Sequence, residues 1–240
     1  MSSPNNLATP STTSTTQAPA DPAATAPSTS SHPPASSPDP TLTSNAQRRL
    51  PASAAAGPPE LASLKIRLRA AVRQIPDFPS KGILFEDIMP IFADASLHEA
   101  LIRALDLHVA HTYGPDEKPD VVVGLDARGF LFGPSLAMRI GAGFAPVRKQ
   151  GKLPGPCITA SYEKEYGQDF FQMQSDAIKP GQKVLVVDDL IATGGSAAAA
   201  GSLVKQLGGT LVGYVFILEL DFLKGRDKLD APVYTLLSSQ

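Results

Sequence analysis

The chain of 240 residues has little of several things, and each shortage narrows what it does. A single cysteine, Cys157, excludes an intrachain disulfide framework and any multi-cysteine zinc site, and it fits a reducing compartment. No apolar run approaches the ~20 residues of a membrane span. The N-terminus carries no basic stretch followed by a hydrophobic one, so it does not read as a secretory signal. Lysine and arginine are missing before Arg48, which argues against a mitochondrial presequence. The formal net charge is only -2, giving no general electrostatic case for nucleic acid or an acidic membrane. The expectation is a soluble, cytoplasmic protein.

Apolar side chains are also scarce over residues 1–59, which hold 12 of the 23 prolines among Ser, Thr and Ala. Such a segment cannot offset its ordering entropy, so 1–59 is expected to be a disordered tail and 60–240 the folded domain. Within that domain, Leu61, Leu64, Leu68, Val72 and Ile75 recur at helical spacing, predicting an amphipathic helix that Pro76 stops. A second helix is predicted over 96–112 and others over 131–140 and 195–207. The apolar runs 120–124, 144–148, 183–187 and 210–220 read as buried strands. This alternation predicts an α/β fold, a central twisted parallel sheet flanked by helices, with ligands beyond the carboxyl ends of the strands. Segment 149–180, rich in charge, glycine and proline, breaks the alternation. It reads as a long functional loop.

The stretch VLVVDDLIATGGSAAAA (184–200) carries the chemistry. A strand expected to end at Val187 runs into Asp188 and Asp189, then into Ala192, Thr193, Gly194, Gly195 and Ser196 at the start of a helix. Glycines let successive N–H groups face one concavity, a helix N-terminus adds partial positive charge, and two hydroxyls supply donors: a phosphate cradle. The aspartates would repel a phosphate and suit vicinal hydroxyls instead. Phosphate beside two hydroxyls describes a ribose 5-phosphate, although a plain strand–turn–helix with solvated aspartates has the same pattern. Neither a Gly-Lys-Ser/Thr tripeptide nor a complete G-x-G-x-x-G occurs, so the better-known nucleotide loops are excluded.

This stretch resembles the phosphoribosyl diphosphate (PRPP) signature of type I phosphoribosyltransferases. Together with IPDFPSKGILFEDI (75–88), GLDARGFLFGPSLA (124–137), VRKQGKLPGP (147–156) and YEKEYG (162–167), in that order, it is similar to the adenine phosphoribosyltransferases. The resemblance implies that fold with a small hood and a flexible catalytic loop, and transfer of the 5-phosphoribosyl group of PRPP to adenine, giving AMP and diphosphate. It also implies Mg²⁺ held mainly through PRPP and water rather than by a protein metal site, and a homodimer. By the same resemblance Phe85 stacks on adenine, and backbone groups of Leu84 and Glu86 read its edge. Glu165, beside Tyr166, is the proposed general acid/base, with Asp188 and Asp189 the other carboxylates able to handle the adenine proton. Arg148, Lys149 and Lys152 form a basic stretch without acids, and Arg128 follows a strand end, so all four suit diphosphate. Lys81 and Lys164 depart from the family pattern at positions without a chemical role.

Two other readings share parts of this pattern. A hypoxanthine–guanine or xanthine enzyme would keep the PRPP site and differ at residues 75–88. A PRPP-sensing DNA-binding regulator would carry a basic helical domain ahead of the core, where only Arg48 and Arg49 are basic.

Overall fold

The computed structural model describes residues 57–163 and 167–237, the Glu163 side chain excepted. Helix α1 (Pro58–Ala71) starts on paired prolines, whose fixed φ suits the first turn. It ends four residues earlier than its apolar spacing predicts. Val72 turns extended, and Arg73–Pro76 forms β1, paired antiparallel with β2 (Leu84–Asp87). Pro76 disfavours helix at Ile75, and β2 offers the backbone a partner there, so the extended form wins. The turn between the two strands is closed by Asp77, whose Oδ1 accepts from Gly82 N at 2.7 Å. This two-stranded ribbon is the small hood.

After a short helix α2 (Met89–Ala93), α3 (Ala95–Tyr113) is capped by Asp94, whose Oδ1 accepts from Ser96 N at 2.8 Å and Leu97 N at 2.9 Å. Gly114, at φ 66, ends it. The main sheet then builds from β3 (Val121–Leu125), β4 (Gly143–Lys149), β5 (Cys157–Glu163), β6 (Gln168–Gln174), β7 (Lys183–Ile191), β8 (Thr210–Glu219) and β9 (Val233–Thr235), with α4 (Gly133–Ile140) and α5 (Gly195–Gln206) between. Its order is β5-β6-β4-β3-β7-β8-β9. The five strands from β4 to β9 in that order pair in parallel.

The segment 149–180 is not one long loop. Residues 157–163 and 168–174 form an antiparallel hairpin that extends the sheet by pairing Arg148 with Gln172 and Lys149 with Phe171. Ile158, Ala160 and Tyr162 alternate with polar residues and pack with Phe171 and Met173 in one apolar cluster. The glycines and prolines clustered at 151–156, with Gly167 between the two strands, obscure that period in the sequence.

Alternation along the central strands splits the apolar interior in two. Val122, Leu185, Val187, Val215 and Ile217 face a cluster with Leu68, Ile91, Leu101, Leu105 and Leu136, that is, α1 to α4. Val121, Val123, Val184, Val186, Tyr214 and Phe216 face the other, with Ala200, Leu203, Val204 and the β5–β6 hairpin. Helices therefore cover both faces, as expected. The chain passes from β3 to β4 on one flank and returns with β7 on the other, so the topological switch point lies between β3 and β7.

Candidate active site

Two connections leave the switch point. After β3 come Asp126, a cis peptide to Ala127, and a tight 3₁₀ turn, Arg128–Leu131. Gly129 lets this turn lie on β7, since a Cβ there would come within 2.8 Å of the Val187 carbonyl oxygen. After β7 come Ala192 and Thr193, and then Gly194, at φ 76, caps α5. The acidic pair is not in a loop: β7 continues past Val187 because Leu190 and Ile191 still pair with Leu218 and Glu219 of β8. Asp188 and Asp189 are therefore held by the sheet, which fixes where their carboxylates can go.

Arg128, Asp188, Asp189, residues 190–197 and Phe216 line a cavity of about 240 Å³. One wall is the first turn of α5, whose leading N–H groups have no intrahelical acceptor. The other carries the carboxylates. The glycine-rich turn and the two carboxylates thus meet in one small cavity.

The cations lie close to acids. Arg128 donates through Nε to the Asp189 carboxylate, whose side chain is only 10% exposed. Burial, reinforced by the neighbouring Asp189 carboxylate, holds the Asp188 carboxyl well above the usual carboxylate range, opposed by the Asp189 backbone N–H and, more weakly, by the Arg128 charge. Arg148 Nε donates to Asp126 Oδ2 at 2.8 Å, and its Nη1 to the Lys152 carbonyl at 3.1 Å. Lys149 Nζ stands 3.5 Å from Asp169 Oδ2. Lys152 makes no ion pair among the described residues. The local charge is thus not the uncompensated +3 of the linear sequence, because Asp126 and Asp169 approach from other elements. Asp126 had a readable signal, an acid directly after an apolar run, as Asp188 is. Asp169 had none until the hairpin was known.

On the hood, Phe85 is half-buried and packs edge-on against Phe78, ring centres 5.1 Å apart. It belongs to neither apolar core cluster. Leu84 and Glu86, two apart on β2, turn their backbone groups to the same side of the ribbon, as reading one base edge requires. The Glu86 carboxylate is tied to Arg69 of α1, and Asp87 to Arg73, so two ion pairs pin β2 to the segment before it. The lining of the 240 Å³ cavity takes nothing from Leu84–Glu86. Glu165 and Tyr166 lie outside the described residues. No group of three or more His, Cys, Asp or Glu side chains among the described residues converges as a metal cage, and no helix there is long and apolar enough to cross a membrane.

Residues 96–240 match the phosphoribosyl transferase domain family. Over 180 residues, 75% of this chain and 98% of the relative, the sequence is 64% identical to adenine phosphoribosyltransferase of Yarrowia lipolytica. It is 58% identical to adenine phosphoribosyltransferase 1 of Saccharomyces cerevisiae over 75% of this chain and 96% of the relative. The crystal structure of the Saccharomyces cerevisiae enzyme, complexed with an imino-altritol bisphosphate and adenine, superposes with a TM-score of 0.72 at 58% identity, covering 73% of this chain and 99% of that one. Geometry, domain match and relatives agree: the chain belongs to the type I phosphoribosyltransferases, among the adenine phosphoribosyltransferases.

Proposed function

We propose that this chain transfers the 5-phosphoribosyl group of PRPP to adenine, giving AMP and diphosphate in purine salvage. The observation that carries the reading is the cavity between β7 and α5, in which two sheet-held carboxylates face a glycine-rich helix N-terminus. The turn from Ala192 to Ser196 binds the 5′-phosphate, and Asp188 and Asp189 accept from the ribose hydroxyls. N9 of adenine bonds to C1′ as the bond from C1′ to the diphosphate oxygen breaks. That electron pair leaves with diphosphate, and the N9 proton passes to a base. Charge separates in this step, positive on the sugar and negative on the leaving group. The aspartates counter the first, and Arg128, Arg148, Lys149 and Lys152 the second.

Mg²⁺ bound to PRPP would supply further neutralisation of the diphosphate beside Arg128, Arg148, Lys149 and Lys152. It would be held mainly by phosphate, hydroxyl and water oxygens, the donors Mg²⁺ favours, rather than by a protein metal site. Phe85 stacks on adenine, and the backbone of Leu84 and Glu86 reads its edge: a carbonyl accepts from the 6-amino group, whereas a 6-oxo purine leaves that acceptor unpaired. Glu165 moves the proton, with Tyr166 beside it, on the connection between β5 and β6. The enzyme domain is 60–240, preceded by a Ser/Thr/Ala/Pro-rich tail, and the protein works as a cytoplasmic homodimer. Relatives that this chain matches over 95–98% of their length support that division.

The test offers adenine, hypoxanthine, guanine and xanthine in parallel with PRPP and Mg²⁺. Nucleotide from adenine alone is expected. Turnover of an oxo-purine would overturn the base assignment, and no turnover from folded protein the whole reading. Replacing Asp188 and Asp189 with Asn should lower turnover far more than stability.

A further inference from the structure

The segment after β8, residues 220–230, contributes nothing to the cavity lining, yet its backbone packs against the turn that does. Gly225 is buried. A Cβ on Gly194 would fall on the Gly225 carbonyl oxygen, and a Cβ on Gly225 would fall on the Ala192 carbonyl oxygen, with Gly194 N at 2.9 Å. The two backbones therefore touch with nothing between them, directly behind the turn assigned to the 5′-phosphate. Leu220 N donates to Ile191 O at 2.9 Å, tying the start of the segment to the last residue of β7.

The residue after Gly225 holds it there. Arg226 Nε donates to Glu219 Oε1 at 2.6 Å and Oε2 at 2.8 Å, and Nη2 also reaches that carboxylate. Arg226 Nη1 donates to the Val233 carbonyl at 2.8 Å and Nη2 to Thr235 Oγ1 at 2.7 Å, while Thr235 Oγ1 donates to Glu219 Oε2 at 2.9 Å. Glu219, 7% exposed, is the last residue of β8 and pairs with Ile191 in the sheet register. One guanidinium thus fastens the segment to the ends of β8 and β9. A lysine has neither the fork nor enough donors to make these contacts.

We infer that Glu219, Arg226 and Thr235 are positioning residues for the phosphate turn: they press the Gly225 backbone against Ala192–Gly194 and so preset the cradle's N–H groups. The inference rests on assigning that turn to the 5′-phosphate. A cradle of backbone donors works only when its curvature exists before the anion arrives, because flexible donors must be ordered at the cost of affinity.

The test uses the full chain and steady-state kinetics with each substrate varied, beside thermal melts. Arg226→Lys keeps the charge and loses the fork. It should raise the KM for PRPP roughly ten- to a hundredfold while the KM for adenine stays within about twofold. Gly225→Ala should do the same, and Thr235→Ser, which keeps the hydroxyl, should stay near wild type. Tyr214→Phe is the control for plain destabilisation: it removes the hydrogen bond from Tyr214 Oη to Asp230 Oδ1 at the far end of the segment, without touching the turn. It should lower the melting temperature and leave the KM for PRPP alone. An unchanged KM for PRPP in folded Arg226→Lys overturns the inference, as does an equal rise in both KM values. Should Gly225→Ala fail to fold, Arg226→Lys and Tyr214→Phe decide the matter. Wild-type turnover of adenine is read separately, so failure of the assigned reaction is not confused with failure of the brace.

Discussion

Removing the cation from Asp189 should show how the acidic pair is held before any substrate arrives. The perturbation is Arg128→Met, which keeps an apolar stem and deletes the guanidinium. Losing one partner of a fully buried ion pair costs about 3–5 kcal/mol. Here the Asp189 side chain is 10% exposed but that of Arg128 is 51% exposed, so water replaces part of what is lost. A cost of about 1–3 kcal/mol follows. With a urea slope of about 2 kcal/mol/M, the unfolding midpoint should fall by roughly 0.5–1.5 M at neutral pH. In an Asp189→Asn background the same change should cost under about 0.5 kcal/mol, because no buried carboxylate is left unpaired.

The pH dependence carries a second sign. Asp188's carboxyl is raised in the folded state by burial and Asp189, while the Asp189 backbone N–H and, after it, the Arg128 charge pull it down. A raised carboxyl stabilises the fold only while protonated, and that contribution is lost as pH rises through its folded value. Arg128→Met raises it further, so the deficit should be largest at neutral pH and shrink on acidification. An unmoved urea midpoint, or an equal drop in the Asp189→Asn background, would refute this account of the pair.

Three more outcomes are expected. Gly201→Ala on α5 places a methyl against the buried Tyr214 hydroxyl and should cost about 1–3 kcal/mol, much of it recovered in a Tyr214→Phe background; thermal melts of the single and double variants check this. His108, stacked 3.4 Å from Tyr234, is pushed down to about 4 by burial, with Lys65 and His111 adding to it. Its neutral form therefore contributes stability above its unfolded value near 6.5 that is lost as pH falls towards 4, and His108→Phe should remove about 2 kcal/mol of that acid sensitivity after allowance for partial exposure, read from urea midpoints across that range. Phe85→Ala should raise the KM for adenine about tenfold and leave that for PRPP within about twofold, the difference isolating base stacking.

Where one rule governed a segment, the sequence was readable. The apolar runs at 120–124 and 183–187 read as buried strands, and β3 and β7 lie there within a few residues. Errors arose where partners distant in sequence decide. Val72 and Ile75 fit a helical stripe, but β2, ten residues on, claims that backbone. Asp188 and Asp189 look like loop residues until β8 is seen to pair alongside them. The same holds for charge. Arg148 and Lys149 read as free cations because Asp126 and Asp169, their neighbours in space, stand about 20 residues away in the chain. Nothing local in Gly225 or Arg226 announces contact with a turn 30 residues earlier.

The division of the interior by the sheet has an evolutionary corollary. Residues that seat the hood grow from the α1–α4 side, and those that seat the phosphate turn and the hairpin from the α5 side. On the proposed assignment of base to hood and sugar phosphate to the turn after β7, substitutions beneath the hood retune which base is accepted and leave the other cluster undisturbed. Such a scaffold can change one substrate and keep the other.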